Sequence, residues 1–143
     1  SNFGKILRFD VSKISPKPEI IAYGLRNPWK IGFDVRGRLF IADCGYTRIE
    51  SLYLIEDLNP PKPHNLGWPV FEGTERRKID PLQFESTLAP IYEYRHFGLV
   101  GGCIVGGIYL EQERLYVLGD FSGVIRTTHE RVLVHFKVFQ EII

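Results

Sequence analysis

A short string near the middle of the chain returns near its end. Arg38-Leu39-Phe40-Ile41-Ala42-Asp43, followed by Gly45, recurs as Arg114-Leu115-Tyr116-Val117-Leu118-Gly119-Asp120, followed by Gly123. A strand-like run precedes and follows each copy, and Gly4-Lys5-Ile6-Leu7-Arg8 echoes Gly123-Val124-Ile125-Arg126. A four-strand unit repeated along a chain is the signature of a β-propeller blade, and blades run about 40–45 residues. The 143 residues therefore hold roughly two complete blades plus flanking strands, too little to close a ring, which needs about four or more. We place the blade repeats at about 19–55 and 91–128, with a long loop at about 56–90 between them. A β-sandwich with accidental similarity between the two strings is the competing reading.

The rest of the chain agrees with an all-β fold. Apolar residues at helical spacing are hard to find over any 12-residue window, whereas short apolar and β-branched runs bounded by Gly, Pro, Asp or Asn recur throughout. The predicted strands are Lys5–Asp10, Glu19–Tyr23, Lys30–Val35, Arg38–Asp43, Glu50–Ile55, Ile91–Tyr94, Cys103–Leu110, Arg114–Gly119, Val124–Thr128 and Val132–Phe139. Arg36 and Gly37 separate two of them at hairpin spacing. Fourteen Gly and 9 Pro supply turns, and 44% hydrophobic residues supply a core.

Charge and cysteine usage narrow the function classes. Eighteen Lys and Arg against 17 Asp and Glu leave a formal net charge of +1, which provides no field to draw nucleic acid or an anionic membrane. No apolar run approaches the roughly 18 residues of a membrane span, and the first residues lack the pattern of a signal peptide. The chain opens without Met into strand-like sequence, so we expect it to be part of something longer. Cys44 and Cys103 lie far apart with no CxxC pair, which excludes a zinc or thioredoxin motif built from them. They read as two small buried thiols, with a disulfide open if the chain is exported.

Several residues could carry chemistry. Gly24-Leu25-Arg26-Asn27-Pro28-Trp29 falls between strands, where loop backbone can face a ligand. The planar guanidinium of Arg26 suits a carboxylate or phosphate, Asn27 adds an amide, and Pro28 stiffens the turn. A structural Arg paired to a neighbouring acid is the equal alternative. Trp68 and Phe71 argue that the Pro- and Gly-rich stretch 56–90 is ordered. Glu75-Arg76-Arg77-Lys78 reads as a solvated face. Asp43 and Asp120 sit at matching strand ends, where Asp stops strands by bonding turn backbone, although Asp43 and Glu50 could share a cation. His96 reads as structural because nothing near it in sequence orients it, and His64, His129 and His135 show no ligand spacing.

Pro18 to Trp29 with its Gly-Leu-Arg-Asn-Pro core, Ala42-Asp43-Cys44-Gly45 with Arg48 and Glu50, and Asn65-Leu66-Gly67-Trp68-Pro69 together resemble the glucose/sorbosone dehydrogenase family. That family comprises soluble pyrroloquinoline-quinone (PQQ) sugar dehydrogenases and hedgehog-interacting-protein-like relatives. Glu93-Tyr94-Arg95-His96, Gly101-Gly102 and Tyr116 to Gly123 follow in the family's order. The resemblance implies a partial six-bladed propeller, PQQ and calcium at the channel mouth, and oxidation of the anomeric carbon of an aldose by hydride transfer to the quinone. It implies that Arg26 and Asn27 contact the quinone, and that Gly45 and Tyr46 lie in the calcium loop. The family's catalytic His lies upstream of this chain, so the segment alone is expected to be inactive, its site completed by the remaining blades. A periplasmic or extracellular location is implied with it.

The chain also departs from that family. Cys44 stands where sugar-oxidising members often have Gln, Tyr46 replaces Pro or Gln, and Ser51 and Tyr53 replace an acid and an amide. Gly106 and Val124 replace Arg, and the tail after Arg126 leaves the pattern. These departures favour the alternative of a non-catalytic propeller that binds a protein or carbohydrate partner. A lactonase-like hydrolase with a channel calcium is a third reading, against which the Gly-Leu-Arg-Asn-Pro string argues.

Overall fold

The computed structural model describes residues 3–77, 86–96 and 102–129. The chain is all-β, with no helix among the described residues. Twelve strands occur there: β1 (Lys5–Arg8), β2 (Glu19–Tyr23), β3 (Pro28–Phe33), β4 (Leu39–Asp43), β5 (Ile49–Ile55), β6 (His64–Asn65), β7 (Phe71–Glu72), β8 (Glu75–Arg76), β9 (Tyr92–Arg95), β10 (Ile104–Leu110), β11 (Leu115–Asp120) and β12 (Ile125–His129). The predicted strand Val132–Phe139 lies outside the described residues, as does His135.

Three sheets follow one another along the chain. The first is β1-β2-β6, in which β1 and β2 are antiparallel and β6 adds in parallel. The second is a four-stranded antiparallel sheet, β3-β4-β5-β9, and the third is β10-β11-β12. β7 and β8 form a separate small hairpin. The repeated strings behave alike, since β4 and β11 each stand second in their sheet.

The grouping of strands differs from the expected one. Residues 19–55 do not form one unit, because β2 pairs with β1 while β3, β4 and β5 take β9 as their fourth strand. The stretch 56–90 therefore joins the third and fourth strands of one sheet, where the sequence reading placed it between two repeats. Pairing of Ile49–Leu52 with Tyr92–Arg95 is a non-local contact that strand periodicity does not encode. The Arg36-Gly37 hairpin is also wider than expected: the turn runs from Asp34 to Arg38. The Asp34 carboxylate accepts the N–H groups of Arg36 and Arg38 at 3.0 and 2.9 Å and Arg38 Nε at 2.6 Å.

Alternation along β4 and β5 builds two cores on opposite faces of the middle sheet. Leu39, Ile41, Tyr53 and Ile55 pack with Ala22 of the first sheet and with Leu25 and Leu66, just beyond its strands β2 and β6. Phe40, Ala42, Leu52 and Leu54 pack with Ile104, Tyr116 and Leu118 from the third. The sheets are thus stacked face to face in chain order. β5 is buried along its whole length, whereas β3, at the edge of the same sheet, is largely exposed.

Candidate functional site

One end of the middle sheet gathers the loops that the sequence singled out. β3 begins there, β4 ends, β5 begins and β9 ends. The buried Asp43 at the end of β4 fixes the Gly-Leu-Arg-Asn-Pro loop by accepting the backbone N–H of Asn27 at 2.7 Å and of Arg26 at 3.1 Å. Its bonds reach back 16 and 17 residues, so it pins a distant loop rather than closing a local turn. Asp120, at the matching place, does close one, accepting Ser122 N and Oγ at 2.7 and 2.5 Å. Burial pushes the Asp43 carboxyl up to about 6 against the opposing N–H bonds, and the charge of Glu50 adds to the rise.

The loop 65–69 crosses the same end. Trp68 N donates to Gly24 O at 2.8 Å and Leu66 N to Tyr23 O at 2.9 Å. Gly24 has φ +74, and a Cβ there would lie 2.8 Å from Gly67 N, so glycine permits both the turn and the approach.

Arg26 points along the loop after β4. Its Nη1 donates to Gly45 O at 2.7 Å and to Cys44 O at 3.3 Å, and its guanidinium carbon is 5.5 Å from the centre of the Tyr46 ring. Arg77 approaches from the other side, 5.3 Å from the Tyr46 ring centre and 4.2 Å from that of Trp68. The two rings are 6.0 Å apart. Arg77 Nη1 also donates to Pro69 O at 3.1 Å. The cluster read as a solvated face thus places one arginine on an aromatic pair, a role that only tertiary contact reveals; Lys78 lies outside the described residues. Two guanidiniums flanking two rings suit a flat, anionic ligand.

Two buried glutamates hold this end rigid. Glu72 Oε1 accepts the N–H groups of Tyr46, Thr47 and Arg48, each at 2.8 Å, and of Ile49 at 3.2 Å. Burial opposes its charge, but these four donors outweigh it and hold the carboxyl below the usual range. Glu50 Oε2 accepts Ile104 N at 2.8 Å and Gly45 N at 3.1 Å, and its Oε1 lies 2.5 Å from His96 Nε2. His96 is therefore oriented after all, by an acid 46 positions away. His64 Nε2 meets Asp57 O at 2.8 Å and His129 Nδ1 meets Arg114 O at 3.3 Å, both backbone carbonyls away from this end of the middle sheet.

Cys44 and Cys103 form a disulfide, which overturns the reading of two free thiols. It joins the loop after β4 to the residue before β10, linking the second sheet to the third. Cys44, Cys103 and Glu50 cluster closely enough for a metal, yet the sulfurs are spent on each other and leave no thiolate.

Of Gly45 and Tyr46, where calcium is expected, Gly45 spends its carbonyl on the protein itself, and the acids around it are likewise engaged. Gly45 O takes Arg26 Nη1, both Asp43 oxygens take backbone N–H groups, and Glu50 is used by Gly45, Ile104 and His96. Calcium asks for six to eight oxygens, and a divalent ion on Gly45 O would meet the guanidinium charge at contact range. The Gly45 carbonyl, with the Arg26 guanidinium on it, does not fit that ion. Arg26 and Arg77 supply positive charge beside the flat surfaces of Tyr46 and Trp68, the chemistry a carboxylate ligand would meet.

The chain is similar to the HIPL1 protein of Arabidopsis thaliana, 44% identical over an alignment of 126 residues, with 75% of this chain and 17% of that protein covered. The chain thus spans about a sixth of the relative's length. No family model and no solved structure matches.

Proposed function

We propose that the chain is a segment of a six-bladed propeller of the glucose/sorbosone dehydrogenase type, contributing a quinone-binding loop cluster to a site completed elsewhere in a longer protein. The observation that carries this reading is the meeting of Arg26, Tyr46, Trp68 and Arg77 at one end of a stack of sheets. PQQ is a flat tricarboxylate, and two arginines beside two rings supply both kinds of contact. When bound, PQQ would take up the hydride of an aldose; the resemblance puts the His that takes the sugar's proton upstream, which gives this segment the part of a binding element.

Sheets stacked face to face in chain order support the propeller. The Cys44–Cys103 disulfide supports an oxidising, periplasmic or extracellular location. Among the described residues no helix is long and apolar enough to cross a membrane.

A non-catalytic propeller that binds a protein or carbohydrate partner is the second reading, favoured by the departures from the family pattern at Cys44, Gly106 and Val124. A titration of the full-length protein with PQQ, followed by quinone absorbance with and without an aldose, separates the two. Saturable binding and bleaching of the quinone by sugar are expected; no binding leaves the partner-binding reading in its place.

A further inference from the structure

The loop after β4 carries its own cation. Arg26 Nη1 is held by Gly45 O at 2.7 Å and by the neighbouring Cys44 O at 3.3 Å, and Gly45 is one of the two residues, with Tyr46, at which the family resemblance places calcium. Around them, the Asp43 and Glu50 oxygens are taken by N–H groups and His96. Glu72 Oε1 accepts four N–H groups, which leaves Glu72 Oε2 as the carboxylate oxygen there without a hydrogen bond among the described residues. One such oxygen falls well short of a calcium shell. The carbonyl contacts engage Nη1, while the N–H groups on Nε and Nη2 form the fork that meets a carboxylate in two parallel bonds.

We infer that the Arg26 guanidinium takes the place of calcium in the Gly45 loop, so that a flat polycarboxylate binds here without a metal ion. The identity of the ligand rests on the proposed quinone reading; the exclusion of the metal does not. A fixed monovalent charge on the chain does for an anionic ligand what a bridging ion would do, and it cannot be removed by a chelator.

Two measurements on the full-length protein test this. The first titrates PQQ by quinone absorbance in excess EDTA and again in excess calcium. The same midpoint is expected in both, with Arg26→Gln weakening binding by roughly tenfold or more in each; a calcium-dependent tightening of about tenfold or more in the wild type overturns the inference. The second follows terbium emission sensitised by Trp68 and Tyr46. No component that calcium displaces and that Trp68→Phe removes is expected; such a component overturns the inference. If PQQ binds in neither condition, the quinone reading fails while the terbium result still decides the metal question.

Discussion

Glu50 Oε1 lies 2.5 Å from His96 Nε2, and the other oxygen of the same fully buried carboxylate receives the N–H groups of Gly45 and Ile104. One side chain thereby ties the loop after β4, the end of β9 and the start of β10. Removing it strands two buried N–H donors and a histidine without their acceptor. Glu50→Ala is expected to cost about 3–5 kcal/mol of stability, measured by urea unfolding. A loss below about 1 kcal/mol, the size of a single ordinary hydrogen bond, would show that solvent replaces the carboxylate readily.

Asp43 sets a pH dependence whose sign is fixed by its environment. Its folded carboxyl is raised to about 6, above the roughly 3.9 of an unfolded chain. Between these values the folded state binds more protons, so the contribution of Asp43 to stability is full below about pH 4 and is lost as the pH rises through about 6. Two units correspond to about 3 kcal/mol. The lowered carboxyls of Asp34, Glu72 and Asp120 act in the opposite direction at lower pH. Asp43→Asn is therefore expected to remove the downward slope between pH 4 and 6 while keeping the rise below it, as followed by melting temperature across pH.

The disulfide closes a loop of 59 positions. The chain-entropy model gives about 4 kcal/mol for a loop of that length. Cys103→Ser, or a dithiol reductant, is expected to lower the melting temperature accordingly, and the two treatments together should add nothing beyond either alone. Additive losses would place part of the effect of the reductant elsewhere.

Much of this arrangement was legible in the sequence, and the failures share one cause. The repeated strings predicted β4 and β11 in matching places, and Trp68 with Phe71 predicted an ordered 56–90 stretch, whose described part carries β6, β7 and β8, because both are local patterns. The partners of Asp43, Glu50, Glu72 and Arg77 lie between 5 and 54 positions away, most of them beyond 15. No periodicity records them, and a charge beside an exposed charge looks the same in sequence whether it meets water or a Trp ring. The pairing of β9 with β5 escaped for the same reason. Two facing strips of alternating apolar residues fix that each is a strand, not which neighbour it takes.

Gly45 is the residue on which the candidate site most directly depends. A Cβ built there would run into the Ile49 carbonyl oxygen and come within 3.2 Å of Glu72 Oε1. The first obstacle is backbone of β5, inside a fully buried strand, and the second is a carboxylate fixed by four N–H donors. Neither yields without moving the carbonyl that Arg26 holds. Gly45→Ala is expected to cost about 1–3 kcal/mol, the usual penalty of overpacking, and to weaken PQQ binding along with it. Gly32→Ala is the matched control, since a Cβ there meets nothing within 4 Å, and its effect should stay within about 0.5 kcal/mol. Equal stability of the two variants by denaturant unfolding would mean that the loop after β4 relaxes around the added methyl, and the close approach of Gly45 to Ile49 would then be no constraint on the site.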